Sequence, residues 1–231
     1  ASSVCLQRSL HRMASLFERI QIDRNIALDS LGIGLLSLAG LVLEISLTRL
    51  FSVLFFPPAV FGILSLAILG IGLGAALVTW RASWRVRRRV PFYLGSAAVS
   101  VIVITAVATL PAVQISLFGL VVVPYLFIGM SLTTLFSDVP QRSPQLYLAD
   151  LLGAGLGALL AVPLLNWLGG LDAVLATAVL LALAGWVCGE RPLTRLPFAF
   201  LGLSLLVFAS SLLFPWLSLN MNSLPTAKPI A

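Results

Sequence analysis

Long runs of apolar residues without charge are the feature that most constrains how this chain folds. Residues 59–79 contain no Asp, Glu, Lys or Arg. About 20 such residues, rising 1.5 Å each, cross the ~30 Å hydrocarbon core of a bilayer as a helix. Of the 231 residues, 60% are hydrophobic and 10% are charged, whereas about 25% of a soluble domain is charged. The sequence therefore predicts an all-α, polytopic transmembrane helical bundle.

We predict about seven spans with short connections. They cover about residues 27–56, 59–80, 91–110, 113–137, 146–167, 171–188 and 196–217. Pro57 and Pro58 end the first span, and Pro124 predicts a kink or a break in the fourth.

The segments that flank the spans differ from them in pattern. In residues 1–26, apolar residues recur every three or four positions, as on one stripe of a helix: Leu6, Leu10, Met13, Phe17 and Ile20. This pattern fits either an amphipathic helix in the membrane interface or a helix packed on a partner subunit. Residues 218–231 have no apolar period and are expected to form an extended tail.

Positive charge predicts the orientation of the bundle. The net charge is +6, and arginines precede span one and follow spans two, four and six. The densest group lies between spans two and three: Arg81, Arg85, Arg87, Arg88 and Arg89. With seven alternating spans, these arginines share one side, which predicts a cytoplasmic N-terminus in a bacterial inner membrane. We expect them to set topology and meet anionic lipid headgroups, and we expect no nucleic-acid binding.

Two short phrases occur twice in the same order. SLTRLFS at 46–52 returns as SLTTLFS at 131–137, and LGIGLGAAL at 69–77 returns as LGAGLGALL at 152–160. If both matches reflect one repeat, spans one to three correspond to spans four to six (about 27–110 and 113–190), with the extra span at 196–217 outside it. Three spans are an odd number, so the second unit is inverted, as in half of a major-facilitator-type transporter.

The repeated glycines have a packing role that needs no ligand. Gly70 and Gly74, and again Gly153 and Gly157, form G-x-x-x-G. Small residues one turn apart allow two helix backbones to approach closely in a membrane. A nucleotide loop would have to follow a strand and open a helix, so we favour packing.

Four polar residues in the spans are candidates for function: Glu44, Arg49, Asp150 and Asn166. A charge at the bilayer centre costs about 2.5–3.5 kcal/mol on insertion scales. Measured from Ala27, Glu44 and Arg49 lie nearer the outer interface than the midplane, at about 26 and 33 Å along the helix. Arg49 can therefore extend its side chain to that interface.

We expect these charges to bind groups on neighbouring spans. Glu44 and Thr48 share one side of their helix, whereas Glu44 and Arg49 do not. Arg49 is expected near Asp172, and Asp150 near Arg142 or the arginine-rich loop. A structural ion-pair network is the first interpretation, and a proton or substrate pathway is the second.

No catalytic, metal or cofactor site is predicted. Cys5 and Cys188 are far apart, and His11 is the only histidine. A metal centre or a nucleophile with its base needs several convergent groups of these kinds.

Three stretches together resemble a known family: LEISLTRLFSVLF, GIGLGAALVTWRASWRVRRR and LYLADLLGAGLGALLAVPLL. The chain is similar over about residues 27–190 to the membrane domain of multi-pass spermidine synthase-like proteins. Glu44, Thr48 and Arg49 match the E-x-x-x-T-R of that family. Tyr147 and Asp150, with two of the glycines, match its Y-x-x-D-x-x-G-x-x-x-G. The resemblance implies a transporter-like bundle, often joined to a soluble aminopropyltransferase domain.

This sequence contains no nucleoside-binding loop after a strand, so aminopropyl transfer is not predicted for it. We expect a non-catalytic integral membrane subunit or scaffold that docks in a larger membrane assembly, or a homodimer. Two alternatives remain open. One is a transporter-like domain that binds or moves a small solute between the inverted repeats. The other is the membrane anchor of a spermidine synthase-like enzyme.

Overall fold

Seven long helices make up the part of the bundle that the structure describes. The structure, a computed structural model, describes residues 27–52, 58–109, 117–138, 140–189 and 195–213, and no strand occurs among them. The helices are α1 (Ala27–Ser52), α2 (Pro58–Trp80), α3 (Val90–Ala108), α4 (Leu117–Asp138), α5 (Ser143–Leu168), α6 (Gly170–Val187) and α7 (Arg195–Leu213). All seven are long and apolar enough to cross a membrane. The predicted all-α, multi-pass membrane class is confirmed.

The predicted spans agree with these helices to within a few residues wherever both ends are described. One difference concerns Pro124: the predicted break is absent, and α4 continues through this residue. Helix α5 likewise continues through Pro163. The predicted interfacial helix in residues 1–26 and the predicted tail in residues 218–231 lie outside the described residues.

Helices form here because lipid offers no hydrogen bonds to the backbone, so each span must satisfy its own N–H and C=O groups. Hydroxyl side chains in the spans follow the same rule. Thr105 Oγ1 donates to the carbonyl oxygen of Val101 at 2.8 Å, and Thr134 Oγ1 donates to that of Met130 at 2.7 Å. These buried hydroxyl groups are therefore satisfied within their own helix.

Helices α2 and α4 pack as a parallel pair through two glycines. A Cβ atom placed at Gly70 would lie 2.8 Å from the carbonyl oxygen of Val122, and one placed at Gly74 would collide with the backbone of Leu126. Residue numbers rise together along the contact, so the two helices run in the same direction. Only glycine allows the backbones to come this close.

Helices α1 and α5 form a second parallel pair of the same kind. A Cβ atom at Gly153 would collide with the backbone of Gly34, and one at Gly157 would lie 2.8 Å from the carbonyl oxygen of Leu38. The glycines of α2 thus pack on α4, and those of α5 pack on α1.

The remaining helices differ strongly in burial. Helix α3 contacts α4, α6 and α7. Over an apolar stretch of 18 residues, 61% of the residues of α6 are buried, whereas only 17% are buried in each of α5 and α7. Helices α5 and α7 therefore present most of their surface to the outside of the bundle.

Two side-chain groups mark the opposite ends of the bundle. At one end, which we call the arginine end, Arg87 joins the start of α1 to the end of α4. At the other, Ser211 near the end of α7 donates to Asp172 in the first turn of α6. On α5, exposed Tyr147 and exposed Trp167 are 20 residues apart, about 30 Å along a helix. Aromatic residues at that spacing are typical of the two membrane interfaces.

Candidate functional site

Three charged residues form a cluster at the arginine end, which we call the Arg87 cluster. Arg87 Nη1 donates to Asp29 Oδ2 at 2.8 Å and to Asp138 Oδ2 at 3.2 Å, and Arg87 Nη2 donates to Asp29 Oδ1. The Asp29 side chain is 7% exposed and that of Asp138 is 42% exposed. The bidentate bond to Asp29 fixes both the position and the orientation of the guanidinium group.

The other arginines of the same loop do not share this role. Arg81, Arg85, Arg88 and Arg89 are exposed. All five were predicted to set topology and meet lipid headgroups. The structure separates Arg87 from them, because Arg87 is partly buried and pairs with Asp29 and Asp138, whereas Arg88 and Arg89 of the same 3₁₀ turn are exposed.

Aromatic residues hold this loop against the bundle. The Arg81 guanidinium lies 5.2 Å from the centre of the Trp84 ring, and Tyr93 Oη donates to the carbonyl oxygen of Trp84 at 2.9 Å. These contacts place the arginine loop directly over the start of α3.

Cys188, just after the end of α6, lies beside the Arg87 cluster. A Cβ atom at Gly32 of α1 would collide with its sulfur. Burial, reinforced by the nearby Asp29 carboxylate, raises the pKa of the Cys188 thiol to about 12. The thiol is therefore held neutral and packed, as in a structural rather than a reactive cysteine.

Asp150 of α5 pairs with no arginine among the described residues. It was expected near Arg142 or the arginine loop, but Ser37 Oγ of α1 donates to its Oδ1. The close parallel packing of α1 on α5 lets the Ser37 and Asp150 side chains meet, so the carboxylate bonds across this contact instead.

The expected pair of Arg49 and Asp172 is also not formed. Asp172 lies in the first turn of α6, not in a loop, and accepts a hydrogen bond from Ser211. Arg49 is exposed and makes no ion pair with a described residue. Its level on α1 is close to that of Trp167 on the parallel helix α5, which fits a side chain that reaches the interface.

Glu44 of α1 and Tyr125 of α4 form what we call the Glu44 site. Glu44 is half-buried, and it makes no hydrogen bond or ion pair with a described residue. Thr48 was expected to face Glu44, but its hydroxyl donates to the Ile45 carbonyl of its own helix. Tyr125 is 1% exposed, and its hydroxyl has no hydrogen-bond partner among the described residues.

The two residues of the Glu44 site interact electrostatically, and their levels agree. The Arg87 cluster holds Asp29 of α1 and Asp138 of α4 at one level. Glu44 is 15 residues beyond Asp29, and Tyr125 is 13 residues before Asp138, which gives about 22 Å and 20 Å of helix rise. Both therefore lie well inside the ~30 Å hydrocarbon layer, about two-thirds of the way across it.

The other predicted polar residues are not part of this arrangement. Tyr147 and Asn166 lie near opposite ends of α5, and both are exposed. Among the described residues, no three His, Cys, Asp or Glu side chains come close enough to hold a metal ion.

Sequence reasoning missed Asp29, Asp138 and Tyr125 as important residues. The two aspartates adjoin the predicted ends of spans one and four, both on the side of the arginine loop, and this placement was a usable signal. Tyr125 follows Pro124 within an apolar run, where a hydroxyl needs a partner.

An open apolar cavity of about 310 Å³ lies between α3, α4 and α7. Ser100, Phe127 and Phe200 are among the residues that line it. Because the Ser100 hydroxyl already donates to the Ala97 carbonyl of its own helix, this hydroxyl does not mark a polar site.

Comparison of the chain with protein families, with curated proteins and with solved structures found no match. The resemblance to spermidine synthase-like membrane domains, and the anchoring role that it implies, therefore stay predictions.

Proposed function

We propose that this chain is a non-catalytic integral membrane subunit that docks on other membrane proteins through the outward faces of α2 and α5. The observation that carries the proposal is a glycine between the two packing glycines of each helix. Gly72 lies between the two packing glycines of α2, and Gly155 lies between those of α5. Both are exposed, and a Cβ atom at either would meet nothing within 4 Å.

Neither glycine is needed for packing against the part of the chain that the structure describes. A glycine inside a helix is less favourable than alanine by about 1 kcal/mol. On a membrane helix, a small residue lowers the energy when another helix approaches it closely. Helices of partner proteins that pack closely on Gly72 and on Gly155 would explain why both positions are glycine.

The low burial of α5 supports the proposal that its outward face binds a partner. Its buried residues form one narrow line, Leu146, Gly153, Gly157 and Ala161. The rest of the helix offers a broad leucine-rich surface, with room for a partner helix alongside α1.

We further propose that the arginine end faces the cytoplasm of a bacterial cell, in the inner membrane. Arg81, Arg85, Arg88 and Arg89 are exposed at the end where α1, α3, α5 and α7 begin. Such a concentration of positive charge supports a cytoplasmic location for this end, next to anionic headgroups.

The experiment is purification of the chain from native membranes in mild detergent, with mass spectrometry of co-purifying proteins. We expect one or more membrane proteins in fixed proportion, and their loss in Gly155→Leu. Gly202→Leu is the matched control, since Gly202 is also open but lies on α7. A monodisperse homodimer with no other protein would contradict the proposal.

A second candidate function is a transporter-like domain built from inverted repeats. The specific observation in its favour is that two helix contacts correspond to each other under the repeat. If α1 corresponds to α4 and α2 to α5, then the contact of α2 with α4 corresponds to the contact of α5 with α1. Both contacts are present, and both are parallel and glycine-mediated.

This second candidate is tested by site-directed labelling in vesicles. A cysteine in place of Ser37 lies on the arginine-end side of Glu44, and a cysteine in place of Thr48 lies on the opposite side. If the domain alternates between two open states, a membrane-impermeant thiol reagent labels one cysteine from one side of the membrane and the other cysteine from the opposite side. The ratio of the two labelling rates should then change with the state of the domain. Fixed labelling from one side would favour a static bundle.

A further inference from the structure

Hydroxyl groups in the described spans of this bundle are normally satisfied, and the buried hydroxyl groups of Tyr125 and Ser46 are the exceptions. Thr105 and Thr134 donate to carbonyl groups of their own helices. Tyr93, the other buried tyrosine, donates to the carbonyl oxygen of Trp84. The Tyr125 hydroxyl is just as buried and has no partner among the described residues. A tyrosine cannot reach its own backbone with this hydroxyl, so its partner has to come from outside its helix.

Among the described residues, Glu44 is the charged group that acts on the Tyr125 hydroxyl. The two side chains interact electrostatically but are not hydrogen-bonded to each other. When two polar groups are close without direct contact, a small molecule such as water commonly bridges them. The Cβ atom of Tyr125 packs on Gly70 of α2, so the Glu44 site lies where α1, α2 and α4 meet.

The other charged groups that the structure describes on these helices and their neighbours already have partners or lie elsewhere. On α5, Asp150 accepts from Ser37, which is two turns nearer the arginine end than Glu44. On α6, Asp172 accepts from Ser211 at the opposite end. Arg49 on α1 is five residues from Glu44, about 140° around the helix. The described part of α2 has no acidic or basic residue.

From this arrangement we infer that Glu44 and Tyr125 form a proton-binding site inside the membrane, with Glu44 carrying the proton and the Tyr125 hydroxyl hydrogen-bonded to it through a bridging water. This assignment goes beyond the proposed docking function and does not depend on it.

The chemistry of the site favours a proton over a metal cation. One carboxylate and one hydroxyl provide too few ligands for Mg²⁺ or Ca²⁺, which take about six to eight oxygen ligands. A proton needs only one carboxylate oxygen, and it neutralises a charge that would otherwise be costly in hydrocarbon. A protonated carboxyl group and a phenol can each donate and accept, so one water satisfies both.

The test uses the apolar reagent dicyclohexylcarbodiimide on the full chain in lipid nanodiscs. The carboxyl oxygen of a protonated acid adds to the central carbon of the reagent while the acid proton moves to its nitrogen. The acyl group then shifts from oxygen to nitrogen, which leaves a stable adduct without loss of any atom. Because Glu44 is half-buried, the reagent can reach it from the bilayer.

We expect mass spectrometry of the digested protein to find the adduct on Glu44 at neutral pH and not in Glu44→Gln. At the pH where half of Glu44 is labelled, Tyr125→Phe should change the labelling rate about two- to tenfold, the range expected for the loss of one hydrogen bond. Asp150→Asn is the matched control, and it should leave Glu44 labelling unchanged.

Three results would overturn the inference. Absence of the Glu44 adduct from weakly acidic to neutral pH, in protein that elutes as one folded species, would show that Glu44 holds no proton. Protection by sodium chloride but not by choline chloride would assign the site to a cation instead. An unchanged labelling rate in Tyr125→Phe would remove Tyr125 from the site.

Discussion

The Arg87 cluster and the Glu44 site are made of similar groups but are completed differently. Both bring a carboxylate of α1 together with a polar group of α4. At the arginine end, Arg87 binds Asp29 and Asp138 at once. About 20 Å deeper, Glu44 and Tyr125 have no hydrogen-bond partner among the described residues.

This difference separates a structural role from a binding role. A charged cluster with its hydrogen bonds made holds three helices in register and has little capacity for a ligand. A carboxylate and a buried hydroxyl without partners are costly unless something else completes them. The two regions are also linked, because the Arg87 cluster sets the levels of α1 and α4 and hence of the Glu44 site.

The largest expected effect comes from removing the centre of the Arg87 cluster. Arg87→Gln leaves Asp29 buried without its partner, so we expect the free energy of unfolding to fall by about 3–5 kcal/mol. The measurement is denaturant unfolding in mixed micelles. Arg88→Gln, at an exposed neighbour, should stay within about 0.5 kcal/mol of the parent. Equal losses in the two variants would contradict a special role for Arg87.

A double variant sharpens this result. In Arg87→Gln/Asp29→Asn the buried charge is removed together with its partner, so part of the loss should be recovered. Strict additivity of the two single changes would mean that Asp29 and Arg87 are not coupled.

The next effect concerns the contact that holds α1 beside α5. A methyl group at Gly153 collides with the backbone of Gly34, so Gly153→Ala should cost about 1–3 kcal/mol. It should also disturb the bond between Ser37 and Asp150. Gly155→Ala, two residues along the same helix but facing open space, should be neutral or more stable by up to about 1 kcal/mol. The same unfolding assay distinguishes them, and a loss in both would contradict the packing described.

The smallest effect compares two buried tyrosines. Tyr93→Phe removes a hydrogen bond to Trp84 and should cost about 0.5–1.5 kcal/mol. With the bridging water bound, Tyr125→Phe also removes a hydrogen bond and should cost about as much as Tyr93→Phe. A Tyr125→Phe variant that is neutral or more stable would contradict the bridging water. A thermal or denaturant assay of both variants at neutral pH separates these cases.

Much of the architecture could be predicted from the sequence, because hydropathy and helix length are local properties. The seven spans follow from uncharged runs such as residues 59–79. The side-chain partners could not be predicted, since they depend on which helices are neighbours. Ser37 and Asp150 are 113 residues apart, and nothing in the sequence shows that α1 packs parallel to α5. The same is true of Arg87, which looks like its four neighbours until its turn is known.

The Arg87 cluster has its hydrogen bonds made within the protein, whereas we infer that a proton completes Glu44. The decisive measurement for this contrast is the infrared difference spectrum between the parent chain and Glu44→Gln at neutral pH, in lipid and in both H₂O and D₂O. We expect the variant to lose the carbonyl band of a protonated carboxylic acid, and we expect this band of the parent chain to shift in D₂O. Loss of ionised carboxylate bands instead would contradict it.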